Sequence, residues 1–172
     1  MKKLLVLFLL TTVSGMLFAQ GNKILLKESF ENRGRWFKNP ACNQFDGGGT
    51  YEFVPGGKKG KCLKVVTKGK QVFYFNRGDV PLKDNTKLKI ILSVKGKGRL
   101  DLVPMGRTVT GKTRYLNGGY ELIHTDQWEE IPFIVPFKDP KGAKLKGISF
   151  RLIYGKESSL LLDQFRIEEM KK

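Results

Sequence analysis

The sequence predicts an all-β sandwich, and three observations lead to that prediction. Short runs of alternating apolar and polar residues recur along the chain at intervals of about 10 residues. Clusters of glycine, proline and small polar residues separate these runs. Beyond the first twenty residues, no window sustains a helical repeat. About ten short strands of this kind are typical of a β-sandwich or jelly roll.

The closing hairpin gives the clearest strand signal. The first of its strands has one apolar face, which is formed by Ile148, Phe150, Leu152 and Tyr154. Residues 155–158 form a polar connection of hairpin length. The second strand is apolar on both faces over 160–162, as expected for a strand covered on each side, and Asp163 interrupts this run.

The other strands are predicted from shorter runs. They are 24–31, 50–54, 61–67, 71–76, 87–95, 99–103, 120–124 and 131–135. The run 87–95 has the cleanest alternation, and Gly96 and Gly98 are expected to turn the chain into the strand that follows. Residues 39–49 contain a proline and three consecutive glycines, so they are predicted to form a loop.

Residues 1–20 have the pattern of a secretory signal peptide. Lys2 and Lys3 precede an apolar run, and a small residue, Ala19, ends the segment. The apolar run is too short for a membrane span, and no later segment reaches that length. The sequence therefore predicts a signal peptide, 1–20, and a single β-sandwich domain, 21–172. The mature protein is expected in the periplasm, at the cell surface or outside the cell.

The chain is strongly basic, with 32 Lys and Arg against 16 Asp and Glu and a formal net charge of +16. Since the leader carries two lysines and no acid, its removal lowers the net charge to +14. This charge favours anionic partners such as polyuronates or sulfated glycans, although evenly spread lysines also fit simple solvation. No nucleic-acid-binding module is recognisable, so nucleic acid is not a predicted partner.

Two cysteines, Cys42 and Cys62, lie in the mature part of the chain. In an oxidising compartment such a pair is predicted to form a disulfide. The bridge would stabilise the fold by roughly 3 kcal/mol in the chain-entropy picture. Two cysteines and one histidine do not make a tetrahedral zinc site.

Five segments, in order along almost all of the mature chain, carry a family resemblance. They are 28–32 followed by Trp36, the glycine-led strand 60–65, the strand 88–96, the Thr-x-x-Trp start of 125–131, and the apolar–Asp–apolar strand 161–167. Together they resemble the jelly-roll carbohydrate-binding modules with the galactose-binding-like fold, the group that contains families four, nine and twenty-two. Two features depart from that pattern: Gln164 replaces a frequent second acid, and the lysine excess is unusual for modules that bind neutral glycans.

The resemblance implies two kinds of site. A structural calcium ion would join the first strand to the last, with Glu28 and Asp163 as its carboxylate ligands. Sugar rings would stack on aromatic side chains of a concave sheet and its loops, with polar groups for the hydroxyls. The candidate ligand-binding residues are Trp36, Tyr74, Arg99, Tyr115 and Tyr120. Trp128 is assigned to the core, while Arg99 and Arg114 are candidates for pairing with an acidic sugar.

Catalysis is not predicted. His124 is the only histidine, there is no Gly-x-Ser-x-Gly turn, and no strand carries the paired acids of jelly-roll glucanases. The predicted function is non-catalytic glycan binding, with some preference for acidic polysaccharides. Two alternatives stay open: a structural or adhesive domain without a sugar site, and a jelly-roll polysaccharide lyase acting on polyuronate.

Overall fold

The computed structural model describes residues 22–38, 49–70 and 72–171. These residues form ten β-strands and no helix. The strands are β1 (Lys23–Glu28), β2 (Trp36–Lys38), β3 (Thr50–Pro55), β4 (Lys61–Val66), β5 (Phe73–Pro81), β6 (Thr86–Thr108), β7 (Thr113–Tyr115), β8 (Gly119–Phe137), β9 (Leu145–Tyr154) and β10 (Ser159–Glu169). The all-β prediction is confirmed. The predicted signal peptide, 1–20, lies outside the described residues.

The strands form one continuous antiparallel sheet that curls into two layers. The first layer contains β3, β4, β10, the first half of β6 and the second half of β8, with β1 beside the last part of β10. The second layer contains β2, β5, β9 and the second half of β6, whose free edge pairs with β7 and the first half of β8. This is a jelly-roll sandwich, as predicted.

Two long strands join the layers, which corrects the predicted turn at Gly96 and Gly98. The chain does not reverse there; it bends within β6 and continues into the second layer. Both glycines have positive φ, 120° and 146°, which residues with a Cβ rarely adopt. A Cβ on Gly96 would lie 2.2 Å from the carbonyl oxygen of Ser159. The glycines therefore permit a bend under the β9–β10 turn, where the sequence predicted a hairpin.

The core lies between the layers and is built from the alternate residues of each strand. β9 supplies the apolar face predicted for it, since Phe150, Leu152 and Tyr154 are fully buried while Arg151 and Ile153 point outward. Trp128 is only half-buried and does not belong to the core cluster, so its assignment to the core was wrong. It lies where the pairing of β6 with β8 shifts register, so the inward–outward alternation is interrupted there.

The first and last strands lie side by side. β1 pairs with β10 from Lys23 opposite Glu169 to Glu28 opposite Phe165. This brings Glu28 close to Asp163, as the resemblance implied.

No helix in the described ranges is long and apolar enough to cross a membrane.

The structure does not support the predicted disulfide. Cys62 is a free thiol and is fully buried on β4. Burial raises the pKa of this thiol, and the negative charges of Asp163 and Glu31 raise it further. The proposed partner, Cys42, lies outside the described residues.

Candidate functional site

The outer face of the second layer brings together four of the five predicted ligand-binding residues. Residues paired across neighbouring antiparallel strands share a face. Asp101 on β6 is paired with Tyr120 on β8 and with Ile153 on β9, and Ile153 is paired with Tyr74 on β5. The side chains of Tyr120, Asp101, Ile153 and Tyr74 therefore form a row across four strands, which we call the tyrosine row. Arg99 lies two residues before Asp101 on β6, on one side of this row. Tyr115 lies on the other side, opposite Met105, which is four residues after Asp101. We call this surface the tyrosine face.

One end of the row is a rigid stack of Arg99 on Tyr120. The guanidinium carbon lies 4.3 Å from the centroid of the tyrosine ring, a cation–π contact. Asp101 holds the arginine in place, because Arg99 Nε and Nη2 donate to Asp101 Oδ1 at 3.0 and 2.8 Å. These hydrogen bonds and the charge of Asp101 raise the pKa of Arg99. Tyr120 remains 57% exposed, so much of its surface is open to a ligand.

The other end of the row has a similar arrangement around Tyr74. The guanidinium carbon of Arg151 lies 5.9 Å from the centroid of the Tyr74 ring. Arg151 Nε also donates to the side-chain oxygen of Asn76 at 3.3 Å. The row thus has an arginine–tyrosine pair at each end, three strand spacings or about 14 Å apart.

A groove lies along one side of the row, the side on which Arg99 lies. It has a volume of about 440 Å³ and is lined by Val72, Arg99, Asp101, Ile153, Gly155 and Lys156. Apolar surface on Ile153 and Val72 lies next to the charged groups of Arg99 and Asp101. Tyr120 and Tyr74 lie next to Asp101 and Ile153 on the neighbouring strands. Aromatic rings beside a groove with apolar surface and a few fixed polar groups can bind sugar rings by stacking and by hydrogen bonds to hydroxyls.

Trp36 does not belong to this face, which corrects its predicted role. It is 2% exposed, and its ring packs against Phe30, Phe75 and Phe165 with centroid separations of 5.1–5.7 Å. Its indole N–H donates to Glu28 Oε2 at 3.2 Å. No sugar ring can reach the indole in this position. Trp36 is a core residue of β2.

Arg151, Asn76 and Ile153 are residues of the site that the sequence did not single out. Each points outward from a strand whose other face is buried. The alternation marked their positions as solvent-facing, but only the pairing of β5 with β9 places them beside Tyr74. Arg114, predicted as a partner for an acidic sugar, is instead 3.4 Å from the buried Asp139.

The Asp139 carboxylate is held in place by local donors. Burial acts to raise the pKa of Asp139, but hydrogen bonds from the backbone N–H groups of Lys141 and Ala143, together with Arg114, hold it below its ordinary value. Arg114 is therefore committed to a structural ion pair.

Glu28 and Asp163 have separate partners, which bears on the calcium ion implied by the resemblance. Both oxygens of Glu28 face the guanidinium of Arg77, at 2.5 and 3.2 Å. Asp163 accepts the backbone N–H groups of Lys58 and Gln164, each at 2.7 Å. Among the residues that the structure describes, no group of three or more His, Cys, Asp or Glu is arranged to hold a metal ion. The two carboxylates do not fit a shared calcium ion, because it would have to displace Arg77.

Removal of calcium by a chelator tests whether Glu28 and Asp163 hold a calcium ion. We expect the melting temperature in excess EDTA to equal that in millimolar calcium, because Arg77 already neutralises Glu28. Differential scanning calorimetry of the same preparation in both buffers is the measurement. A lower melting temperature in EDTA that added calcium restores would show that the predicted ion binds at this seam.

Comparison with solved structures identifies the fold. No protein-family model and no curated protein matches the sequence. A xylan-binding CBM22 domain from Paenibacillus barcinonensis superposes with a TM-score of 0.58 at 19% identity, over 90% of this chain and 99% of that one. The family 11 carbohydrate-binding module of a cellulosomal cellulase from Clostridium thermocellum gives a TM-score of 0.56 at 17% identity, over 88% and 96%. The chain has the jelly-roll fold of carbohydrate-binding modules.

The matched lengths show that this chain corresponds to one domain of a larger solved protein. The CBM22–GH10 part of a Clostridium thermocellum xylanase, complexed with xylohexaose, matches over 88% of this chain with a TM-score of 0.62 and 14% identity. This chain spans only 29% of that one. The described jelly roll therefore corresponds in size to a single domain of those proteins, and the predicted fold is confirmed.

Proposed function

We propose that this protein is a non-catalytic carbohydrate-binding module that holds a polysaccharide chain along its tyrosine face. The observation that carries the proposal is a row with an arginine–tyrosine pair at each end and a groove beside it, all on one sheet face. Solved modules of this fold include xylan-binding domains and one in complex with a β-1,3-1,4-mixed-linked tetrasaccharide, which supports a polysaccharide as the ligand. We also infer that the protein is exported, as its first twenty residues suggest.

We further propose that the site accepts acidic sugars through Arg151. The described residues place no carboxylate within 4 Å of this guanidinium, whereas Arg99 and Arg107 each pair with an aspartate. Arg151 therefore retains donors for a sugar carboxylate, which a guanidinium binds in a bidentate manner. Lys156 lines the groove itself and is a second cation near such a sugar.

A glycan panel tests the proposal. We expect binding to at least one of xylan, mixed-linkage β-glucan, polygalacturonate and alginate, measured by affinity electrophoresis and calorimetry at low and high salt. Acidic chains should bind less tightly as salt rises, since the contact to Arg151 is screened, and neutral chains should not. Failure to bind any of them would support a structural or adhesive role. Appearance of unsaturated uronate, detected by ultraviolet absorbance, would support a lyase.

A further inference from the structure

A second depression lies on the tyrosine face, apart from the row and the groove proposed to bind the main chain of the polysaccharide. Its volume is about 280 Å³. Every strand of the second layer except β8 contributes to its lining, through Phe37, Asn76, Ser149, Met105, Arg107 and Thr113. Because side chains from five strands converge on one hollow, the outer face of this layer is concave there.

The walls of the depression combine one aromatic ring with groups that form hydrogen bonds. Phe37 is 36% exposed and supplies the apolar wall. Arg107 is fixed on the opposite side, since its Nη1 donates to the Gly111 carbonyl at 2.9 Å and to Thr113 Oγ1 at 3.3 Å. Asp79, 3.5 Å from Arg107 Nε, offers acceptors. An aromatic wall facing fixed donors and acceptors is suited to one sugar ring and its hydroxyls.

The charges that line the depression are balanced. Arg107 is paired with Asp79, and the guanidinium of Arg77 is paired with Glu28. A sugar carboxylate entering the depression would meet Asp79 as well as Arg107, so it would gain little net attraction. The lining therefore favours a neutral sugar.

The nearest part of the depression, Asn76, lies one step along β5 from Tyr74 of the row, on the side of the row opposite to the groove. Tyr74 and Ile153 belong to the tyrosine row, and Asn76 and Ser149 lie two and four residues away on the same strands and the same face. A two-residue step along a strand is about 7 Å. A main chain that crosses the strands at the row would pass beside the depression, and a single sugar attached to it would reach inside.

We propose that this depression binds a neutral single-sugar branch of a polysaccharide whose main chain lies along the row, with the branch at the Tyr74 end. This inference rests on the proposed function, and it adds the class of polysaccharide: a branched one. The branch site consists of Phe37, Arg107 and Asp79, while the main chain contacts the two arginine–tyrosine pairs.

Matched pairs of glycans test the inference. The probes are linear xylan oligosaccharide against an arabinose-branched one, and linear β-1,4-glucan oligosaccharide against a xylose-branched one, each with equal main-chain length. We expect the branched member of at least one pair to bind about 10-fold more tightly by calorimetry. Phe37→Ala and Arg107→Gln should each remove this preference and leave the affinity for the linear member unchanged. Tyr120→Ala should weaken both members of the pair.

The outcomes separate the two proposals. If linear members bind and branched members bind no more tightly, the branch site is refuted while the proposed function stands. If the preference persists in both variants, the branch lies elsewhere and the inference is also refuted. If no member of any pair and no glycan of the panel binds, the proposed function fails and the branch site fails with it. Since Phe37 lies on a three-residue edge strand, the melting temperature will show that each variant folds.

Discussion

Replacing Arg77 with methionine is expected to lower the free energy of unfolding by about 3 kcal/mol, near the lower end of the range for breaking a buried ion pair. The side chain of Arg77 is 3% exposed and that of Glu28 is 23% exposed. Without the guanidinium, Glu28 would keep only the indole N–H of Trp36 as a donor among the contacts described. The carbonyls of Gly78 and Asp79 would also lose the donor that Arg77 Nη1 provides.

The control is an ion pair of similar geometry at the surface. Arg99 and Asp101 form such a pair, with 49% of the arginine side chain exposed, and Arg99→Met should change the unfolding free energy by less than about 1 kcal/mol. Equal losses in Arg77→Met and Arg99→Met, measured by urea unfolding, would contradict the argument. The double variant Arg77→Met with Glu28→Leu should recover part of the loss, because it leaves no unpaired charge in the interior.

We expect the Arg77–Glu28 pair to contribute this much to the free energy of unfolding because it joins the two layers of the sandwich. Glu28 ends β1 in the first layer, and Arg77 lies on β5 in the second. Trp36, paired with Arg77 in the sheet, packs against Phe75 of the second layer and Phe165 of the first. One carboxylate therefore accepts from both the arginine and the tryptophan. The resemblance implied a calcium ion beside Glu28, and nothing in the sequence distinguished Arg77 from the many other basic residues.

The strand pattern was predictable, whereas the path of the chain was not. Alternation located the apolar faces of β9 and of the first half of β6 because burial on one side repeats every second residue. Gly96 and Gly98 were predicted to form a turn. Glycine is found both in tight turns and in bends within a strand, so the sequence did not distinguish the two. At the bend these glycines lie so close to Ser158 and Ser159 that a Cβ would clash, and those residues are about sixty positions away in the sequence.

The candidate site was predictable in part, and only through the resemblance. Tyr74, Tyr115, Tyr120 and Arg99 were suggested by analogy and share one face in the structure, while Trp36 was suggested in the same way and is buried. The analogy placed Trp36 among the aromatic residues available to a sugar, whereas it begins β2 and its side chain points into the core. Arg151 was missed because its significance comes from Tyr74 on a neighbouring strand.

Removing the two tyrosines of the row should have the largest effect on binding. We expect Tyr74→Ala and Tyr120→Ala each to weaken polysaccharide binding about 10-fold, and the double variant about 100-fold, because an aromatic anchor contributes roughly 1.4 kcal/mol or more. The effects should add, since the rings are about 14 Å apart, a distance at which couplings are small. Calorimetry with the best glycan of the panel is the measurement.

Two further variants decide how Tyr120 acts. Tyr120→Phe keeps the ring and should keep most of the affinity, while Asp101→Ala frees Arg99 and should weaken binding by an intermediate factor because the ring loses its fixed orientation. Ile134→Ala, which removes a somewhat less exposed apolar side chain (47% against 57%) from β8 on the first layer, is the control and should bind normally. If Tyr120→Ala binds as tightly as the control, the chain does not lie along this row. If Tyr120→Phe loses as much affinity as Tyr120→Ala, the hydroxyl rather than the ring makes the contact.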